Sequence, residues 1–351
     1  MIIQKGVKKY FMTISFLKSN NVVKCLFLSM SIVISGALYT ACSAGFEVLF
    51  DKDVPDARFR IYWSESTGSI KRASTDGSLQ EEILTATGTP LDIELYMPGQ
   101  KIYWTEDTGT QYIINRANLD GTGDETFIGD IYYVAAYHGP SAIAIDPGNA
   151  VMYWNTFQYA SSHNDVWRSP LSSPAPVKWI SNLIYDYTYC IALDTVNGNI
   201  LVTANTSWDT NGTLGSGLVG AMLTGTMAAA GTGTEQFSAS GDGTVTPFVP
   251  LKGIAIDGSG GYVYYVKSES NGTVISSIIK RTDLAFGSST DWITAGGFVK
   301  DQLALDLQEG KIYWTSKADN RIYRANIDAP ESGVELFIQL TAAPMGIAIS
   351  P

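Results

Sequence analysis

Catalytic vocabulary is what this chain lacks most. Only two histidines, His138 and His163, occur in 351 residues, neither beside a nucleophile motif, and there is no G-x-S-x-G, H-E-x-x-H or EF-hand calcium loop. Signals for serine hydrolase, zinc protease or EF-hand chemistry are therefore thin. Basic residues are few as well: 23 Lys and Arg stand against 34 Asp and Glu, a formal charge of −11. Nucleic acid and anionic lipid surfaces are poor partners for such a chain. There is one long apolar run, Cys25 to Leu38, and at 14 residues it is too short to span a bilayer comfortably. Cysteine is limited to positions 25, 42 and 190.

The apolar run follows 24 residues that carry five lysines and no acid, which reads as a secretion signal. Ala41 directly before Cys42 resembles a bacterial lipoprotein processing site, in which the cysteine is acylated and becomes the new N-terminus; Tyr39 and Thr40 depart from the strictest form of that motif. The resemblance implies a signal peptide over 1–41, lipid on Cys42 and a place in the cell envelope. Because Ser43 follows the cysteine where an Asp commonly retains such proteins at the inner membrane, it implies the outer membrane. Contact with membrane is then through the lipid anchor only. Cys25 leaves with the leader and Cys42 carries lipid, so Cys190 alone remains a thiol and no intrachain disulfide is expected. Loss of the leader lysines leaves 18 bases against 34 acids, a mature charge of −16.

Beyond a short tether over 42–58, in which Pro55 discourages regular structure, one unit recurs. RIYWSESTGSIKRASTDG begins at Arg60, KIYWTEDTGTQYIINRANLDG at Lys101 and KIYWTSKADNRIYRANID at Lys311, with weaker copies at Val151, Ile200 and Tyr262. Each is an aromatic strand, a polar turn, an alternating strand and a second turn. Before most copies stands a strand of Ile or Leu alternating with small residues: SAIAID, CIALD, KGIAID, QLALD and MGIAI. Several short strands per unit, repeated six times, describe the blades of a propeller.

The YWT-type strand, the I-x-R-A-x-L-D-G strand and the G-I-A-I-D strand together resemble the YWTD propeller of the low-density-lipoprotein receptor. The best matches are Tyr62-Trp63, Tyr103-Trp104, Tyr153-Trp154 and Tyr313-Trp314, with Arg72-Ala73, Arg116-Ala117 and Arg324-Ala325 following. The resemblance covers nearly all of 59–351. It implies an all-β fold of six four-stranded blades, closed by pairing Met345–Ile349 with the blade begun at Arg60. The motif's final Asp is replaced by Glu65, Glu106, Thr156, Asn205, Lys267 and Ser316, and the receptor's cysteine-rich modules are missing, so receptor-type ligands do not carry over.

A residue that recurs in every blade is read as architectural. Asp146, Asp194, Asp257 and Asp306, each before a tight turn, are expected to bond their own turn backbone, and the Tyr-Trp pairs to pack the core. Cys190 is expected to be a small buried hydrophobe. Two residues break the repeat. Glu94 stands where the other blades have Ala144, Ala192, Ala255, Ala304 and Ala348, and Asp92 where they have Ala142, Cys190, Gly253, Gln302 and Gly346. Both would face the central channel, as acids solvated by channel water or as oxygen ligands for calcium or magnesium.

The second asymmetry is in loop length. On one face, 156–164, 205–216 and 267–275 are long in blades three to five, as are the linkers 130–140, 182–189 and 240–251. They carry Tyr132, Tyr133, Tyr137 and His138, then Phe157, Tyr159 and His163, then Tyr185, Tyr187 and Tyr189, then Trp208. Aromatic loops on a rigid scaffold are common recognition sites, though these rings could also pack on one another. The preferred reading is a non-enzymatic, envelope-anchored propeller that binds a protein, peptide or carbohydrate through Tyr133, Tyr137, His138, Tyr159, His163, Tyr187 and Trp208, with no cofactor. The alternative is a divalent-metal lactonase or esterase using Asp92 and Glu94.

Overall fold

A computed structural model of the chain describes residues 17–19, 22–24 and 59–350, apart from 132–136, 159–162, 184–186, 209–213, 240–250, 271–274, 296–298 and 332. The chain divides into two units, Met1–Lys52 and Asp53–Pro351. In the first, Leu17–Ser19 pairs antiparallel with Val22–Lys24. Cys42 and the 42–58 tether lie outside the described residues.

The second unit is all β, with one 3-10 turn at Met97–Gly99 and no α-helix among the described residues. Its six sheets are blades, each built on four antiparallel strands that in five of them run in chain order from the innermost outward. Blade two is typical: Thr89–Tyr96, Lys101–Asp107, Tyr112–Asn118 and Glu125–Ile131. In blade one, the C-terminal strand Pro344–Ile349 lies innermost and pairs with Ile61–Glu65, so the two ends of the repeat complete one sheet. Arg60 reinforces the closure by binding Asp306 of blade six at 2.9 Å. Blade three gains a parallel outer strand, Gly231–Thr232, lent by blade four.

Alternation sends successive side chains to opposite sheet faces, so each blade presents one flank to each neighbour. Trp63 and Ile347 pack with Tyr313 and Ile322 of blade six, whereas Tyr62 and Ala348 pack with Ile93 and Trp104 of blade two. Four more apolar clusters fill the remaining interfaces. The Tyr-Trp pairs are buried throughout, and Cys190 is buried and free. The turn aspartates do what was expected: Asp146, Asp194, Asp257 and Asp306 each accept a backbone N–H of their own turn.

The third motif position holds the innermost strand to its neighbour. Ser64 Oγ accepts the amide of Gly346, Thr105 Oγ1 that of Asp92, Asn155 Oδ1 that of Ala142, Thr203 Oγ1 that of Cys190 and Thr315 Oγ1 that of Gln302, at 2.8 to 3.2 Å. Blade five has Val266 there, which cannot accept, and Gly253 donates instead to Asp301 O at 2.7 Å. These bonds sit at or beside irregularities in the pairing, for example between Pro90 and Asp92 and between Thr188 and Cys190, where ladder partners are lost. At the fourth position, Glu106 accepts from Thr87, Gly88, Trp104 and Asn115, and Glu65 from Trp63 and Lys71. In blade four the register pairs Ala192 with Leu201, which puts Ala204, not Asn205, in this slot. Asn205 instead clasps both backbone groups of Leu251 in blade five.

The arginine of the third strand supplies a second joint. Arg72, Arg116 and Arg324 bind the outer-strand carboxylates Glu81, Glu125 and Glu335 through Nε. They stack on Phe59, Phe127 and Phe337 and donate through Nη1 to Leu119, Leu171 and Thr75 carbonyls of the next blade. Blades three and five replace that glutamate by Val177 and Thr290 and the phenylalanine by Trp179 and Trp292. There the indole, not the guanidinium, donates to the next blade, at Thr226 O and Ile327 O.

Deleting 344–351 uncovers the Ile61–Glu65 edge and removes Ile347 and Ala348, which are buried, with Met345 and Ile349, which are only partly so. The Ile347 side chain alone is worth about 1.5 to 3 kcal/mol, against a typical domain stability of about 5 to 15 kcal/mol. The truncated chain is expected to aggregate or to lose its cooperative melting transition. A soluble truncation that melts like the full chain would overturn this account of closure.

Candidate functional site

The six residues that ring the channel at the level of Asp92 alternate in kind. In blade order from one to six they are Gly346, Asp92, Ala142, Cys190, Gly253 and Gln302, small and polar by turns. The two glycines are required by crowding: a Cβ on Gly253 would lie 2.4 Å from Asp301 O, and one on Gly346 2.7 Å from Ile93 N. The Cys190 thiol of blade four donates to Gln302 Oε1 of blade six, two blades on.

Asp92 is a joint between blades. Its Oδ1 accepts the Ile93 amide at 3.0 Å and its Oδ2 the Ile143 amide of blade three at 3.1 Å. The reading of two water-solvated acids is therefore corrected for Asp92, whose oxygens serve backbone. Glu94 pairs in register with Tyr103, with the Leu95 amide as its hydrogen-bond neighbour. Both acids are half-buried on the innermost strand of blade two. Burial pushes Asp92 up to about 7, offset by the Ile143 and Ile93 amides and by Lys317. Burial, and then the charge of Asp92, pushes Glu94 up to about 8. Among the described residues no set of three His, Cys, Asp or Glu side chains forms that could hold a metal ion.

Tyr133 and Tyr159 lie outside the described residues, as do Tyr132 and Tyr185. Tyr137, His138, Phe157, His163, Tyr187 and Trp208 are placed by backbone. Tyr137 pairs with Gln158 and His138 with Phe157, His163 pairs with Gln158, Tyr187 with Asn205 and Trp208 with Leu214. All occupy one end of blades three and four. Tyr189, by contrast, packs against the cluster between blades four and five, so for that ring the packing role holds.

Within blades three, four and five, the segments expected as long loops continue as paired strand up to Gln158 and His163, Trp208 and Leu214, and Ser270 and Ile275. The hairpins Val151–Gln158/His163–Pro170, Asn199–Trp208/Leu214–Thr226 and Tyr262–Ser270/Ile275–Asp283 outreach the five-residue arms Ile61–Glu65/Ser69–Ala73 of blade one. Continued antiparallel pairing satisfies backbone groups that an irregular loop of that length would leave to water. Three consecutive blades thus raise ribbons on one face, while blades one, two and six stay low. On the opposite face a cavity of ≈ 570 Å³ lies between the Asp146 turn of blade three and Thr195, Met227 and Ala228 of blade four.

Sequence reasoning missed Lys300, which is fully buried, donates through Nζ to Ser277 O at 2.7 Å, and is held down to about 8 by burial. Nothing in its sequence neighbourhood marks it as interior.

No family model matches the chain. A stretch of 119 residues, 33% of the chain, is 27% identical to low-density lipoprotein receptor-related protein 5 of Mus musculus and spans 7% of that protein. A chain from the crystal structure of a nidogen/laminin complex superposes with a TM-score of 0.63 over 84% of this chain and 98% of its own, at 14% identity. TolB from Acinetobacter baumannii gives 0.57 over 83% and 67%, at 11%. What is shared is the fold. This chain is a six-bladed β-propeller.

The raised carboxyls set a pH dependence. An acid whose folded value lies above its unfolded one contributes stability that is complete below about 4 and is lost as pH rises through about 7 to 8. Glu94→Gln, which cannot ionise, should melt close to the wild type at pH 5 and above it at pH 9. Lys300 titrates alike in both proteins, so the difference isolates the channel. Equal melting temperatures at pH 9 would place Glu94 in water.

Proposed function

We propose that this protein is a non-enzymatic binding propeller, held in the bacterial cell envelope by lipid on Cys42, that engages a protein, peptide or carbohydrate through the ribbon-bearing face of blades three to five. The observation that carries this reading is the asymmetry of that face. Ring closure and interblade packing require only short hairpins, as blade one demonstrates, so the added length in three adjacent blades is not architectural. Ribbons extending from rigid sheets present side chains in fixed positions at little further entropic cost on binding. The matched chain from the nidogen/laminin structure comes from a protein complex, which agrees with this use of the fold. Among the described residues no helix is long and apolar enough to cross a membrane, and the anchor proposed here needs none.

Replacing Tyr137, Tyr159, Tyr187 and Trp208 together by Ala should abolish capture of the partner while the melting temperature stays nearly constant. A large fall in melting temperature would show instead that these rings pack, since a buried aromatic costs about 3 to 5 kcal/mol when truncated. Stoichiometric metal in the purified protein, with ester or lactone turnover lost in Glu94→Gln, would replace this reading by the hydrolase.

Anchoring has its own test. Cys42→Ser should leave unprocessed precursor and move the mature form out of the membrane fraction. Wild-type protein that needs no detergent for extraction would refute the lipid.

A further inference from the structure

Three blades show what the third-strand arginine is built to hold. Arg72, Arg116 and Arg324 each present Nε to a glutamate carboxylate, at 2.6 to 2.7 Å, from the residue paired with them on the outer strand. Blade five keeps the arginine and loses the acid: Arg281 pairs with Thr290, whose hydroxyl turns to the Arg281 carbonyl at 3.4 Å. The guanidinium is nonetheless held in place. Its Cζ lies 3.4 Å from the centroid of Trp292 and 4.3 Å from that of Tyr262, with the Tyr264 phenol as its hydrogen-bond neighbour. The next-blade carbonyl that occupies this arginine elsewhere is taken by the Trp292 indole. The acids beside it are committed: Asp257 and Asp283 accept turn amides, and Asp291 is ion-paired with Lys280.

We propose that Arg281 is a carboxylate-binding site on the rim of blade five, and that its occupant is an acidic side chain or chain terminus of a partner protein. The oriented fork of an arginine between two aromatic faces loses little freedom when it binds, and a carboxylate matches it with two parallel charge-assisted hydrogen bonds. The blade-three equivalent does not qualify. Val177 replaces the glutamate there too, but Arg168 Nε is buried without a partner, so an outside group cannot reach that edge. Around Arg281, Tyr262, Ser289 and Thr290 are exposed and leave the approach open. The net negative charge of the molecule opposes an acidic partner at long range, but beyond about 10 Å that repulsion is screened at 0.1 M salt. The site is separate from the ribbon face and does not depend on it.

The test is a titration of the full chain at about 0.1 M salt, followed by intrinsic tryptophan fluorescence, to which Trp292 contributes, and by calorimetry. The probes are a capped hexaglutamate peptide, acetate and inorganic phosphate. The peptide should bind saturably, and Thr290→Glu, which recreates the arrangement of the sibling blades, should weaken it by about ten- to a hundredfold while raising the melting temperature. Arg281→Lys keeps the charge but loses the fork, and should weaken it similarly. Acetate binding as tightly as the peptide would replace the protein partner by a small free carboxylate. Tighter binding of phosphate than of the peptide would overturn the carboxylate assignment. No saturable binding, or unchanged peptide affinity in Thr290→Glu, would overturn the site and leave Arg281 as a stacking element.

Discussion

Closing six twisted sheets into one ring forces the innermost strands of neighbouring blades against each other, and most other features follow from that crowding. Backbone approaches backbone so closely that Gly253 and Gly346 have no room for a side chain. The irregular pairing that results strands amides, and the third motif position exists to receive them. Hydroxyls or an amide do this in five blades, and in the sixth a neighbour's carbonyl substitutes. A repeat conserved in geometry thus tolerates change in chemistry wherever another acceptor is in reach.

At the outer radius the blades diverge and the joint must span more distance. Two solutions appear. A phenylalanine-stacked arginine, neutralised by glutamate, reaches the next blade in blades one, two and six; a tryptophan does so in blades three and five. Blade four has Thr224 in the arginine position and is tied differently, through the Gly231–Thr232 strand laid along blade three. The small residues that follow Thr224 thus form a clasp, in which Gly225 and Gly233 lie against Ile180 and Leu183.

The channel shows the same economy. Asp92 bonds the next blade through Oδ2 and its own strand through Oδ1, while Glu94 interrupts a ring of alanines and retains its proton near neutrality.

Blade number, strand order, the burial of the Tyr-Trp pairs and the turn role of Asp146, Asp194, Asp257 and Asp306 were legible in the residues alone, because period-two alternation and turn chemistry are local properties repeated six times. The equivalence of Asp92 with Cys190 and Gln302 was legible for the same reason. What those residues touch was not. That Asp92 would meet the Ile143 amide, that a thiol would reach Gln302 and that Lys300 would be interior depend on how blades are set beside one another, and that Arg281 would face Thr290 instead of the acid its siblings hold depends on strand register within blade five. Long segments could be seen to exceed the repeat, yet whether they ran as loops or ribbons depended on cross-strand pairing. Local pattern determines which side of a sheet a residue takes; only the closed ring decides what stands opposite it.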